Sequence, residues 1–132
     1  MQDIDYQALA NRFLIEGVSS IVLMGSHARG DFGPNSDIDI VRFWQEMPDE
    51  HEAVTYLIED HFVVVGDVSL NQVEEWFTSP EMATEFIRGV TQSKALWDRE
   101  GQFAAIKKRA DSFVWDSDMQ AKADAFVSKM MV

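Results

Sequence analysis

Apolar residues recur along this chain with two periods. Tyr6, Leu9, Ala10, Phe13 and Leu14 fall at helical spacing across residues 5–16, and Gly17 stands at the expected C-cap. Ser19 to Met24 reads Ser-Ser-Ile-Val-Leu-Met, an apolar run of the right length for a buried strand. Residues 37–43, Asp-Ile-Asp-Ile-Val-Arg-Phe, alternate with period two and predict a second strand, Ile38 and Ile40 turned towards a core. Pro48 opens an expected helix that runs to about Glu59, with Ala53, Val54, Leu57 and Ile58 as its apolar face. His61 to Leu70 is the remaining strong strand signal. A short helix is expected over 72–77, and a longer one runs from Pro80 towards Gly89 through Met82, Phe86 and Ile87. Ser93 to Asp98 predicts a last strand, Arg99-Glu100-Gly101 its turn, and Gln102 to Trp115 a helix.

The candidate chemistry lies between the first two strands. Gly25-Ser26 is followed, after ten intervening residues, by the pair Asp37-Ile38-Asp39. A glycine without Cβ lets the backbone approach a ligand closely. Ser26 can cap a short helical turn over 26–29, whose free N–H groups attract phosphate. On a strand Asp37 and Asp39 share one face, where they repel each other unless a cation lies between them. Magnesium takes such carboxylates together with phosphate oxygens and water. Each half alone also fits an ordinary turn or a solvated acidic strand edge. The two in this order fit a site for a metal-bound nucleoside triphosphate. Asp67, inside the apolar run His61 to Leu70, is costly to bury without a partner, and a metal shared with Asp37 and Asp39 would be one. Gly66 before it marks a candidate bulge that bears on its aim. Asp60 is a weaker candidate among polar residues, and His27 reads as a bystander at the rim.

The fuller string Gly25-Ser26-His27-Ala28-Arg29-Gly30-Asp31, then Ser36-Asp37-Ile38-Asp39, resembles the signature of the DNA polymerase β-like nucleotidyltransferase superfamily. It most resembles the small bacterial members, the minimal nucleotidyltransferases (MNT), over residues 8–110. The string Leu96-Trp97-Asp98-Arg99-Glu100-Gly101 is similar to the family's end-of-domain hairpin. The resemblance implies an α/β (α+β) fold, a small mixed β-sheet flanked by helices. It implies transfer of a nucleoside monophosphate, AMP from ATP, to a hydroxyl, with pyrophosphate leaving. Asp37, Asp39 and Asp67 would be the catalytic carboxylates and would hold two Mg2+ ions, Asp67 doubling as base. Gly25, Ser26, Arg29 and Ser36 would bind the triphosphate. The acceptor would be a HEPN-type toxin protein, with the chain as its antitoxin. The alternatives are a small antibiotic such as an aminoglycoside, or a non-catalytic module that binds a nucleotide or a partner.

Composition narrows these options. The chain has 132 residues, 46% of them hydrophobic, enough for one domain with a core. It has no cysteine, no apolar run of transmembrane length and no signal peptide, in keeping with the cytoplasm. A net charge of −12 disfavours long nucleic-acid substrates, since Lys107-Lys108-Arg109 is the one basic cluster and also fits a solvated helix face. Residues 1–115 are expected to form the nucleotidyltransferase domain. Residues 116–132 carry Met119, Ala123, Phe126, Val127, Met130 and Met131 at helical spacing. That stripe would begin a truncated helical domain, contact a partner or a second copy as a homo-oligomer, or fold back on its own domain.

Overall fold

The computed structural model describes residues 4–47, 49 and 52–130. Its elements run α1 (Tyr6–Phe13), β1 (Val18–Met24), α2 (Gly25–Arg29), β2 (Ile38–Trp44), β3 (Val54–Ile58), β4 (His61–Ser69), α3 (Leu70–Thr78), α4 (Pro80–Thr91), β5 (Lys94–Asp98), α5 (Gln102–Asp111) and α6 (Ser117–Met130), with a 3₁₀ turn over Arg99–Gly101. The strands form one sheet in the order β3-β4-β2-β1-β5. β2 and β4 pair in parallel; the other pairs are antiparallel. This is the mixed sheet flanked by helices that the resemblance implied.

Each face of the sheet carries its own core. On one face α1 packs Leu9, Ala10 and Phe13 against Ile21, Leu23, Ile38, Ile40, Val63 and Val65. On the other, α3, α4 and α5 bring Val73, Trp76, Ile87, Val90 and Phe103 onto Val22 and Phe43. β1 lies inside the sheet, between β2 and β5, and is buried along nearly its whole length, in keeping with its apolar stretch Ile21 to Met24. Local signals fix the helix starts. Asp5 Oδ1 accepts from the Ala8 N–H at 3.0 Å. Ser69 and Gln72 form a reciprocal capping box on α3, and Ser79 with Pro80 starts α4. Asp98 accepts from the Phe103 and Ala104 N–H groups at 2.7 and 2.9 Å, so it caps α5.

One expected helix is a strand. Val54–Ile58 is the edge strand β3, not the second half of a helix; Pro48 lies outside the described residues. Val54, Thr55, Tyr56 and Ile58 all favour strands, and a two-residue hairpin pairs Ile58 with His61. Glu59 and Asp60 occupy that hairpin with φ of 48° and 66°, left-handed values that cost a non-glycine residue about 1 kcal/mol or more. Glu59→Asn/Asp60→Gly is therefore expected to raise the Tm by about 3 °C or more in a thermal melt. The helix expected to reach Trp115 ends at Asp111.

α6 divides the C-terminal stripe. Met119 is buried in the second core, and Lys122 Nζ donates to the Thr78 carbonyl at 3.3 Å. Phe126 and Val127 stay about half exposed beside Trp115. No helix among the described residues is long and apolar enough to cross a membrane.

Candidate active site

The site forms where β1 ends. Met24, the last residue of β1, pairs with Asp39 of β2, so the turn that follows begins beside the Asp39 carboxylate. Gly25 has φ +68°, and a Cβ built there would lie 2.6 Å from Asp39 Oδ2. The missing side chain is what lets the carboxylate rest against the turn. Gly25→Ala would combine backbone strain of about 1–2 kcal/mol with displacement of Asp39. We expect a Tm several degrees lower in a thermal melt.

Asp37 lies just before β2 and is exposed, whereas Asp39 is half-buried on the strand face that also carries Val41 and Phe43. Burial raises the Asp39 pKa; the Asp37 charge raises it further, while His27 and Arg29 pull it down. Two carboxylates held this way, partly desolvated and repelling, are a donor set that one divalent cation would satisfy.

The expected helical turn is the short helix α2 over Gly25–Arg29, but Ser26 lies inside it and does not cap it: Met24 is the N-cap, without a side-chain cap bond, and Gly30 ends the helix in the left-handed conformation. Arg29 is exposed at the rim, with its Nε donating to Asp31 at 3.1 Å. Ser36 braces the loop before the acidic pair. Its hydroxyl accepts from the Gly33 N–H at 2.9 Å, so its visible work is to close that loop.

His27 is not a bystander at the rim. It is buried, with Nδ1 2.8 Å from the Tyr6 hydroxyl and Nε2 3.3 Å from the Ser36 carbonyl. A carbonyl only accepts, so in the neutral ring Nε2 carries the proton and Nδ1 accepts from Tyr6. Phe32 stacks on the imidazole at 4.1 Å between ring centroids. His27 thus ties α1, α2 and the loop into Asp37 together, and burial raises the Tyr6 pKa. Only its apolar neighbours Ala28 and Phe32 hinted at this in the sequence.

Asp67 does not join the pair. It is the register partner of Arg42, and Arg42 points to the α1 face of the sheet, opposite Asp39. Arg42 Nε and Nη2 donate to Asp67 at 2.6 and 3.0 Å, and Trp44 Nε1 donates at 2.8 Å. The expected partner for a buried acid exists, but it is an arginine fork rather than a metal. Period two decides this: an odd separation in register sets Asp67 on the other face. Asp60 lies at the tip of the β3–β4 hairpin with φ +66°, and among the described residues it forms no group of three acids or histidines that could hold a metal ion.

The family model for the nucleotidyltransferase domain matches residues 6–97. A search of curated proteins by sequence finds no match. Among solved structures, the chain is similar to a toxin–antitoxin complex with AMP-PNP, at 20% identity and a TM-score of 0.54, covering 96% of this chain and 98% of that one. It is also similar to an MNT antitoxin complex with the tri-AMPylated HEPN toxin of Shewanella oneidensis, at 19% identity and a TM-score of 0.51, covering 96% of each chain. A nucleotidyltransferase-like protein of Exiguobacterium sibiricum gives 13% identity and a TM-score of 0.59 over 83% of this chain, which spans 36% of that protein's length. At these identities the likeness concerns the fold.

Proposed function

Because this chain belongs to the nucleotidyltransferase domain family, we propose that it transfers AMP from ATP to a hydroxyl of a HEPN-type toxin protein and so acts as an antitoxin in the cytoplasm. The observation that carries the reading is Asp39 seated against Gly25, with Asp37 two residues before it on the chain. The structural likeness to toxin–antitoxin complexes, over nearly the full length of this chain, supports the choice of acceptor.

Asp37 and Asp39 would hold a magnesium ion together with phosphate oxygens. When bound, it supplies charge neutralisation at the triphosphate and polarises the phosphorus under attack. The backbone N–H groups and hydroxyl at Gly25-Ser26 would receive the outer phosphates, and Arg29 would offset charge on departing pyrophosphate. The acceptor oxygen forms a bond to the α-phosphorus as the bond from that phosphorus to the bridging oxygen breaks. Pyrophosphate leaves with the electron pair, and the hydroxyl proton passes to solvent or to a group on the acceptor. His27 and Ser36 keep the loop into Asp37 fixed, which preserves the orientation that such a displacement needs.

The test is incubation of the purified chain with magnesium, ATP labelled at the α-phosphate, and the protein encoded by the neighbouring reading frame. Label and added AMP mass on that protein are expected. Transfer to an aminoglycoside instead would redirect the acceptor. One observation favours a second reading, a nucleotide- or partner-binding module: Asp67 points away from the acidic pair. Tight magnesium-dependent ATP binding without transfer to any acceptor would favour that module.

A further inference from the structure

The triphosphate site has an apolar neighbour where a second ion would need a ligand. At the level of Asp39, the row across the sheet runs Met24, Asp39, Val64, Thr55. Register partners point to the same face, so Val64 is the β4 residue beside Asp39. One step towards the strand's start on that face is Phe62, more than half exposed, with Leu57 as its partner on β3. One step the other way is Gly66, partner of Val41. None of these carries a carboxylate. His27 lies near Asp39, but its two ring nitrogens already face the Tyr6 hydroxyl and the Ser36 carbonyl. Among the described residues no group of three His, Cys, Asp or Glu side chains could hold a metal ion.

A two-ion centre sets its cations about 3.5–4 Å apart, and ligands must reach both. Asp37 and Asp39 suffice for one ion that shares the triphosphate. The second ion, expected from the sequence to rest on Asp67, does not fit the residues present. Resting on the reading of this site as a triphosphate site, we propose that the chain's own side chains hold one divalent cation, on Asp37 and Asp39, and that Val64 fills the place of a second-ion ligand. The proton of the acceptor hydroxyl then leaves without a carboxylate from β4.

The experiment counts Mn2+ by electron paramagnetic resonance on the full chain with the α,β-methylene analogue of ATP, against the analogue alone. One Mn2+ per protein–nucleotide complex is expected for the wild type. Val64→Asp, checked by circular dichroism for its fold, is expected to take up a second and to show the spectrum of a coupled pair. Two ions on the wild type would overturn the one-ion proposal and leave the triphosphate reading standing. No protein-dependent binding would overturn both. A folded Val64→Asp that still binds one ion would overturn the placement at Val64. If that variant does not fold, the wild-type count alone decides between one ion and two.

Discussion

Asp39→Asn is expected to leave the fold intact, abolish magnesium-dependent ATP binding and lower transfer by about 10²–10³-fold or more. Asp39 is the half-buried member of the pair, lodged where Gly25 leaves room for it. An amide there keeps the shape and loses the charge that would attract the ion. The stability of the metal-free protein moves the other way. Burial, and then the Asp37 charge, raise the Asp39 pKa, so the folded state holds this proton more tightly than the unfolded one. Its ionised form therefore opposes folding above the folded pKa, and that cost disappears as pH falls below the ordinary carboxylate value. Without metal, wild-type stability should rise on mild acidification through this window, and Asp39→Asn should flatten that rise. With magnesium and ATP the order reverses, because binding stabilises only the wild type. Calorimetric titration with and without magnesium, beside the Asp37→Asn/Asp39→Asn double variant, measures the first effect, and melts across pH measure the second. Unchanged ATP affinity in Asp39→Asn would end the assignment.

The parts of this molecule that the sequence made legible are those where one local rule dominates. β1 is apolar at most positions, and it is an interior strand buried along nearly its whole length. Ser69 with Gln72, and Ser79 with Pro80, carry their capping chemistry in adjacent residues, and both helices start there. The Gly25-Ser26 turn and the Asp37–Asp39 pair were readable because each depends on spacing within one segment. β3 failed because four apolar residues over 53–58 fit a helix face while the residues themselves favour strands; a run that short cannot settle its own period. Asp67 failed for another reason. Its burial was foreseeable, but its face depends on the register of β4 against β2, a long-range property that no local pattern records. His27 was missed because its partners, Tyr6 and the Ser36 carbonyl, converge only after folding.

That difference between burial and aim gives the second large effect. Asp67→Asn is expected to lower stability by about 3–5 kcal/mol, since it leaves the Arg42 guanidinium without its counter-charge in a site where the two side chains are 13% and 1% exposed. For a domain of this size that is a fall of about 10 °C or more in Tm. The Trp44 indole can still donate to the amide oxygen, and Arg42 keeps its bond to the Phe13 carbonyl at 3.2 Å, so the charge deficit is what the melt reads. Asp67→Asn/Arg42→Met should recover part of the loss, because it removes the buried guanidinium that Asp67→Asn leaves without a counter-charge. ATP affinity at permissive temperature should stay within about twofold, given that Asp67 and Asp39 lie on opposite faces of the sheet. The opposite pattern, an unchanged Tm with binding or transfer lost, would return Asp67 to the active site and require β4 to pair with β2 in a different register. The melt and the titration therefore separate a stabilising role for this acid from a catalytic one.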